Sequence, residues 1–217
     1  TVSSGYNLTR LPEAAQEEVI KAYFGQEGLR YNLGRTHINS CDFALGNYAY
    51  DEDEADAAFE KFDIGRDKKY ILPMIVRAKD AAGEEIELLA SPWSPPAYMK
   101  TNGEMNHGGK LKEEYRARWA EYIARFLKEY KKAGVPVSMI TVQNEPMAVQ
   151  TWDSCIYETE EEMVFVRDYL GPTLEREGLS DVRIFVWDHN KELRVERAKG
   201  VLSDEKAAKY SAGVAFP

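Results

Sequence analysis

Short apolar segments alternate with helical patterns along the whole chain, and this alternation restricts the fold more than any other feature. The apolar segments are Leu29 to Ile38, Ile86 to Ala90, Val137 to Val142, Val182 to Trp187 and Ala212 to Phe216. Their apolar character is nearly continuous, as in strands covered on both faces. Leu11 to Phe24 reads as a helix, with Pro12 in its first turn, Val19, Ile20, Tyr23 and Phe24 on one stripe, and Gly25 as its stop. Asp53 to Phe62 and Lys68 to Ala82 are expected to form two shorter helices separated at Gly65, with Pro73 early in the second. Lys112 to Lys132 gives the clearest helix, because Tyr115, Trp119, Tyr122, Ile123, Phe126, Leu127 and Tyr130 recur at three- and four-residue steps. Thr159 with Glu162 predicts a capping box for a helix through Met163, Val166 and Tyr169, and Ser203 to Tyr210 a last short helix. Strands alternating with helices predict a parallel sheet built from βαβ units. No Ser/Gly linker or low-complexity stretch divides the chain, and 217 residues at 44% hydrophobic content suffice for one core.

Composition removes several function classes. Lys and Arg number 28 against 37 Asp and Glu, a net charge of −9, which argues against a nucleic-acid partner. No apolar run approaches the roughly 18 residues of a membrane span. Cys41 and Cys155 are too few for a disulfide framework or a cysteine-rich zinc site. His37, His107 and His189 are scattered and make no metal-ligand spacing. No glycine-rich phosphate cradle is present, so no nucleotide cofactor is expected. Position 1 is Thr and no leader segment follows, so the chain is expected to be processed or to be part of a longer one, and its compartment is not legible.

The chemically informative residues follow the strands. Asn39-Ser40-Cys41-Asp42-Phe43 comes after the first, Ser91-Pro92-Trp93-Ser94-Pro95-Pro96 after the second, Gln143-Asn144-Glu145-Pro146 after the third and Asp188-His189-Asn190 after the fourth. In a (β/α)8 barrel these positions share one mouth, where catalysis takes place. Glu145 is the leading candidate for a general acid, and Pro146 is expected to hold it extended. Asn144 beside it offers an amide N–H to a substrate hydroxyl. Asp42 suits bidentate recognition of neighbouring hydroxyls, and the Trp93 indole suits stacking on a pyranose. The alternatives are ordinary: a capping Glu, an Asp fixing its loop, a core Trp. Arg35, inside a strand, is best explained by an inward guanidinium paired with a carboxylate at the mouth.

Taken together, these motifs resemble glycoside hydrolase family 30, the family of the glucosylceramidases. The resemblance rests on Arg35 through Phe43, on Leu89 through Pro96 and on to Asn102, on Thr141-Val142-Gln143-Asn144-Glu145-Pro146, on Leu170-Gly171-Pro172 and on Trp187-Asp188-His189-Asn190. It implies an incomplete (β/α)8 barrel, about strands 2 to 6 with their helices, forming one partial catalytic domain over residues 1–217. The first strand, the last strands and a β-rich side domain are then absent. It also implies hydrolysis of a β-glycoside with retention, without metal or cofactor. Glu145 falls on the family's acid/base, and Arg35, Asp42, Trp93 and Asn144 resemble its sugar-binding set, with Tyr98, Trp152 and Asp188 in support. The family's nucleophile, a Glu on the seventh strand, has no counterpart here, so the isolated 217 residues are expected to be inactive. Pro217 and Tyr98 depart from the usual pattern, the latter standing where Trp is common. The substrate is expected to be a glycolipid or oligosaccharide; the competing expectation is a carbohydrate-binding protein that uses the same surface without hydrolysis.

Overall fold

The computed structural model describes residues 2–216. Helices α1 (Val2–Thr9) and α2 (Glu13–Phe24) precede strand β1 (Leu33–Ile38). There follow α3 (Gly65–Ala82), β2 (Glu87–Pro92), α4 (Arg116–Lys132), β3 (Met139–Thr141), α5 (Thr159–Val164), α6 (Gly171–Arg176), β4 (Arg183–Trp187), α7 (Arg194–Leu202), α8 (Glu205–Tyr210) and β5 (Ser211–Ala215). The strands form one sheet in the order β1-β2-β3-β4-β5. Every pairing is parallel, with one register shift between Ile184 and Phe185 where β4 meets β5. The chain therefore folds as a partial α/β barrel.

The strands are covered by helices on one face. Ile38, Leu88, Ala90, Ile140, Val142, Ile184 and Val186 join Ile71 and Ile75 of α3 and Trp119, Ile123, Phe126 and Leu127 of α4 in a single core. The alternate residues line a concave groove of about 530 Å³, among them Leu33, Arg35, Leu89, Met139 and Phe185. Continuous strand apolarity thus serves two surfaces, of which the helix-covered one is filled and the concave one open.

Several local expectations are corrected. Residues 53–62 turn instead of coiling, because acidic side chains compete for the backbone N–H groups. The Asp53 N–H donates to Asp51 Oδ1 (2.9 Å), the Ala55 N–H to Asp53 Oδ1 (2.9 Å) and the Lys61 N–H to Asp56 Oδ2 (2.6 Å). The capping box lies one residue earlier than expected, between Glu158 and Glu161, which frees Glu162 for a different use. β1 starts at Leu33, four residues late, since Leu29 to Asn32 run outside the sheet. α1 and α7 were not expected. α1 is poor in helix formers and is held by α3: Tyr6 meets Tyr70 edge to face at 5.6 Å. Between α5 and α6 a π-helical turn spans Phe165–Leu170; Pro172 has no N–H with which to continue an α-helical ladder. Pro217 lies outside the described residues.

Candidate active site

The mouth segments converge because parallel strands end on the same side. Arg35 is the hub. From mid-β1 its guanidinium reaches along the concave face, donating from Nη2 to Asp188 Oδ2 at 2.6 Å and to Asn144 Oδ1 at 2.9 Å, and from Nε to Ser91 Oγ at 3.1 Å. Asp188 is 6% exposed and Arg35 38%, so the ion pair is sheltered on its acidic side. Thr141 Oγ1 also donates to Asp188 Oδ2, at 2.7 Å. One carboxylate after β4 thereby fixes a cation from β1, a hydroxyl from β3 and, through Arg35, the amide beside Glu145. Because Asn144 turns its oxygen to Arg35, its NH2 group is left to donate elsewhere.

Glu145 is half-buried and no described residue donates a hydrogen bond to its carboxylate. Its backbone is not extended: φ is 45°, in the left-handed region that non-glycine residues seldom occupy. The preference for extended backbone before Pro146 is overridden here. The Glu145 N–H donates to the Asp188 carbonyl (3.0 Å), and the Glu145 carbonyl accepts from the Ala148 N–H (2.8 Å). Asn39, Trp187 and Asp188 share the left-handed region, with φ of 62°, 77° and 56°. Strained backbone thus sits at three strand ends facing the mouth, where tight packing must hold it.

Trp93 is 7% exposed, with the Arg35 guanidinium 4.8 Å over its ring and His37 edge-on at 6.4 Å. Its ring is a support for Arg35 more than an open stacking platform. Its indole N–H faces Asp42, whose carboxyl partial desolvation raises above the ordinary range, opposed by the backbone N–H groups of Asp42 and Phe43, by Arg35 and by Trp93. Arg35, Trp93, Asp42, Asn144 and Asp188 are therefore brought together, with Glu145 attached through its backbone.

Two of the expected supporting residues make other contacts. Tyr98 packs edge to face on Tyr115 at 5.5 Å under Arg118, at the head of α4, where burial pushes its phenol up to about 12. Trp152 is exposed in the loop after β3, its carbonyl accepting from Ser154 Oγ at 3.2 Å. That loop is pinned to its neighbours: Ser40 Oγ donates to the buried Asp153 (2.6 Å), and the fully buried Lys100 donates to the carbonyls of Met105 (3.0 Å) and Ser154. Cys41 and Cys155 are free and buried, their thiols pushed up to about 12 by desolvation. Thr141 and Ser91 were not among the expected site residues, although strand alternation places both on the face that Arg35 occupies. Among the described residues no group of three metal-ligating side chains occurs.

The model of the glycosyl hydrolase family 30 TIM-barrel domain matches residues 1–217. This chain belongs to glycosyl hydrolase family 30. It is 34% identical to putative glucosylceramidase 3 of Caenorhabditis elegans and 33% identical to lysosomal acid glucosylceramidase of Mus musculus, in each case over 99% of this chain and 43% of the relative. Among solved structures, SrfJ from Salmonella typhimurium superposes with a TM-score of 0.95 at 42% identity, over 99% of this chain and 48% of that one. The endo-β1,6-glucanase BT3312 superposes with a TM-score of 0.89 at 27% identity, over 98% and 49%. The chain therefore spans a little under half the length of these family 30 relatives.

Proposed function

We propose that the complete protein cleaves β-glycosidic bonds with retention of configuration, Glu145 acting as acid/base. The observation that carries this reading is the placement of Asn144 and Glu145 at the end of β3 beside the Arg35–Asp188 pair. Glu145 protonates the departing glycosidic oxygen and later deprotonates the water that releases the sugar. Asn144 holds a sugar hydroxyl through its free NH2 group, and Asp42 with the Trp93 N–H grips further hydroxyls. Arg35 orients and charge-stabilises a nucleophilic carboxylate, which in a retaining pair stands about 5–5.5 Å from the acid. That carboxylate is supplied by residues outside this segment, so residues 1–217 alone form a partial catalytic domain without turnover.

The Caenorhabditis elegans and Mus musculus relatives carry glucosylceramidase names, so a lipid-linked β-glucoside is the substrate class to try first, and with it a role in sphingolipid turnover. The apolar side chains exposed on mouth loops, Phe43, Leu45, Met147, Val149 and Trp152, suit such an aglycone. In the complete protein, Glu145→Gln should slow hydrolysis of an alkyl β-glucoside by about 10²-fold or more. A dinitrophenyl β-glucoside, whose leaving group needs no proton, should still release its phenol in a first-turnover burst. Equal rates for Glu145→Gln and wild type on the alkyl glucoside would remove Glu145 from the acid role. Sugar binding without turnover of either substrate by wild type would favour a carbohydrate-binding protein.

A further inference from the structure

One buried ion pair outside the mouth bears directly on its geometry. Glu162 of α5 is fully buried, and its Oε1 accepts the Trp187 N–H at 2.8 Å. Its Oε2 accepts from Arg197 Nη2 of α7 at 3.3 Å. Arg197 is also buried; it donates to the Tyr157 carbonyl at 2.7 Å and lies 5.1 Å over the Trp187 ring. Trp187 is thus held from above its ring and at its backbone, and its indole N–H is tied to the Asn190 carbonyl at 2.8 Å.

Trp187 is the residue at which β4 leaves regular geometry. It and Asp188 are both left-handed, and neither is a glycine. The Trp187 N–H goes to a side chain and not to a carbonyl of the neighbouring strand, and a buried N–H without an acceptor is costly. Glu162 provides that acceptor. The turn it secures places two groups of Asp188: the carboxylate that anchors Arg35 and Thr141, and the carbonyl that receives the Glu145 N–H. Burying a carboxylate is expensive, and desolvation raises that of Glu162 above its ordinary range against the opposing pull of the Trp187 N–H and Arg197. Packing alone would be served better by an apolar side chain at this position.

We propose that Glu162 is a positioning residue for the β-glycosidase reaction, acting through the Trp187–Asp188 turn to set the Arg35–Asn144–Glu145 constellation. The part it plays is that of acceptor for the Trp187 N–H; Arg197 neutralises its charge. This rests on the reading of Glu145 as acid/base, but its backbone consequence does not.

The test compares Glu162→Gln, which keeps an acceptor oxygen, with Glu162→Leu, which does not, in the complete protein. Two readouts are taken. The first is amide hydrogen exchange of a peptide covering 184–189 and of one covering 142–148. Glu162→Leu should accelerate exchange in both by about tenfold or more, and Glu162→Gln should leave both near wild type. The second is steady-state kinetics on an aryl β-glucoside, with active sites counted by a mechanism-based label. Glu162→Leu should lower kcat about tenfold or more with KM within about threefold, and Glu162→Gln should restore most of kcat. Should Glu162→Leu fail to fold, Glu162→Gln against Glu162→Met serves the same comparison. Loss of kcat in Glu162→Gln equal to that in Glu162→Leu would overturn the acceptor role. So would unchanged exchange at 142–148 in Glu162→Leu. A wild type without glycosidase activity would defeat the functional reading alone, leaving the exchange data to judge the turn.

Discussion

Removing the carboxylate of Asp67 should destabilise the protein far more than removing any one of its partners. Asp67 of α3 is fully buried and accepts three phenols: Tyr48 on Oδ1 at 3.0 Å, and Tyr50 and Tyr130 on Oδ2 at 2.6 Å each. All three tyrosines are buried, the first two in the loop after β1 and the third on α4. Asp67→Ala deletes three charge-assisted hydrogen bonds at once and orphans three hydroxyls. At about 1–2 kcal/mol for each orphan, the lower part of the usual range because the loop bearing Tyr48 and Tyr50 has room to yield to water, the cost is about 3–6 kcal/mol. Tyr130→Phe removes a single donor and leaves the carboxylate two, so it should cost about 1 kcal/mol. In a domain of this size the Ala variant should melt roughly 10 °C lower. Urea unfolding of the complete protein supplies the free energies, read as a shift in midpoint at unchanged slope. The double variant closes the argument: added to Asp67→Ala, Tyr130→Phe should cost almost nothing, since its partner is already gone. Burial raises the Asp67 carboxyl, opposed by the three phenols. Its folded pKa therefore lies above its unfolded one, so its contribution to stability is full at low pH and declines as the pH rises through the folded value. Asp67→Asn should flatten that decline. An Asp67→Ala variant no less stable than Tyr130→Phe, or a double variant whose costs simply add, would refute the account.

Three other outcomes follow from the geometry. Arg35→Lys keeps the charge but not the fork that joins Ser91, Asn144 and Asp188, so kcat/KM on an aryl β-glucoside should fall about tenfold or more, with the melting temperature nearly unchanged. His37 is fully buried and its pKa is lowered to about 4, chiefly by desolvation; stability should be full above about 6.5 and decline by up to about 3 kcal/mol as the pH falls toward 4, a slope that His37→Gln removes in a pH series of urea melts. A Cβ on Gly171 would come within 2.2 Å of the Tyr210 ring, so Gly171→Ala should cost about 1–3 kcal/mol by the same assay, and Tyr210→Leu should recover part of it.

Much of the frame was legible because the strands announce themselves. β2, β3 and β4 are short apolar runs bounded by Pro, Gly or polar residues, and chain order alone then implies parallel neighbours. The segment 53–62 was misread because its Ala and Phe spacing mimics a helix, while the outcome depends on Asp51, Asp53 and Asp56 folding back on the backbone. α1 was invisible for the opposite reason: Ser3, Ser4, Gly5 and Asn7 are weak helix formers, and it is α3 that holds them. In the site, an Arg within a strand gave away its need for a carboxylate, but not which one; Asp188 is 153 residues further on. The extended backbone expected at Glu145 rested on Pro146 alone and lost to the hydrogen bond from its N–H to Asp188. Glu162 was hidden behind a capping pattern that belongs to its neighbours.

The order of the sheet has a consequence for how the molecule is made. Among the described residues, each strand pairs only with those immediately before and after it in the chain. A polypeptide leaving the ribosome N-terminus first therefore always finds one finished edge waiting, and no strand has to be threaded between two partners already joined. Each βα unit can be laid down as it emerges, and Arg35 spends the longest time without its partner: its guanidinium is in place with the first strand, while Asp188 arrives with the fourth.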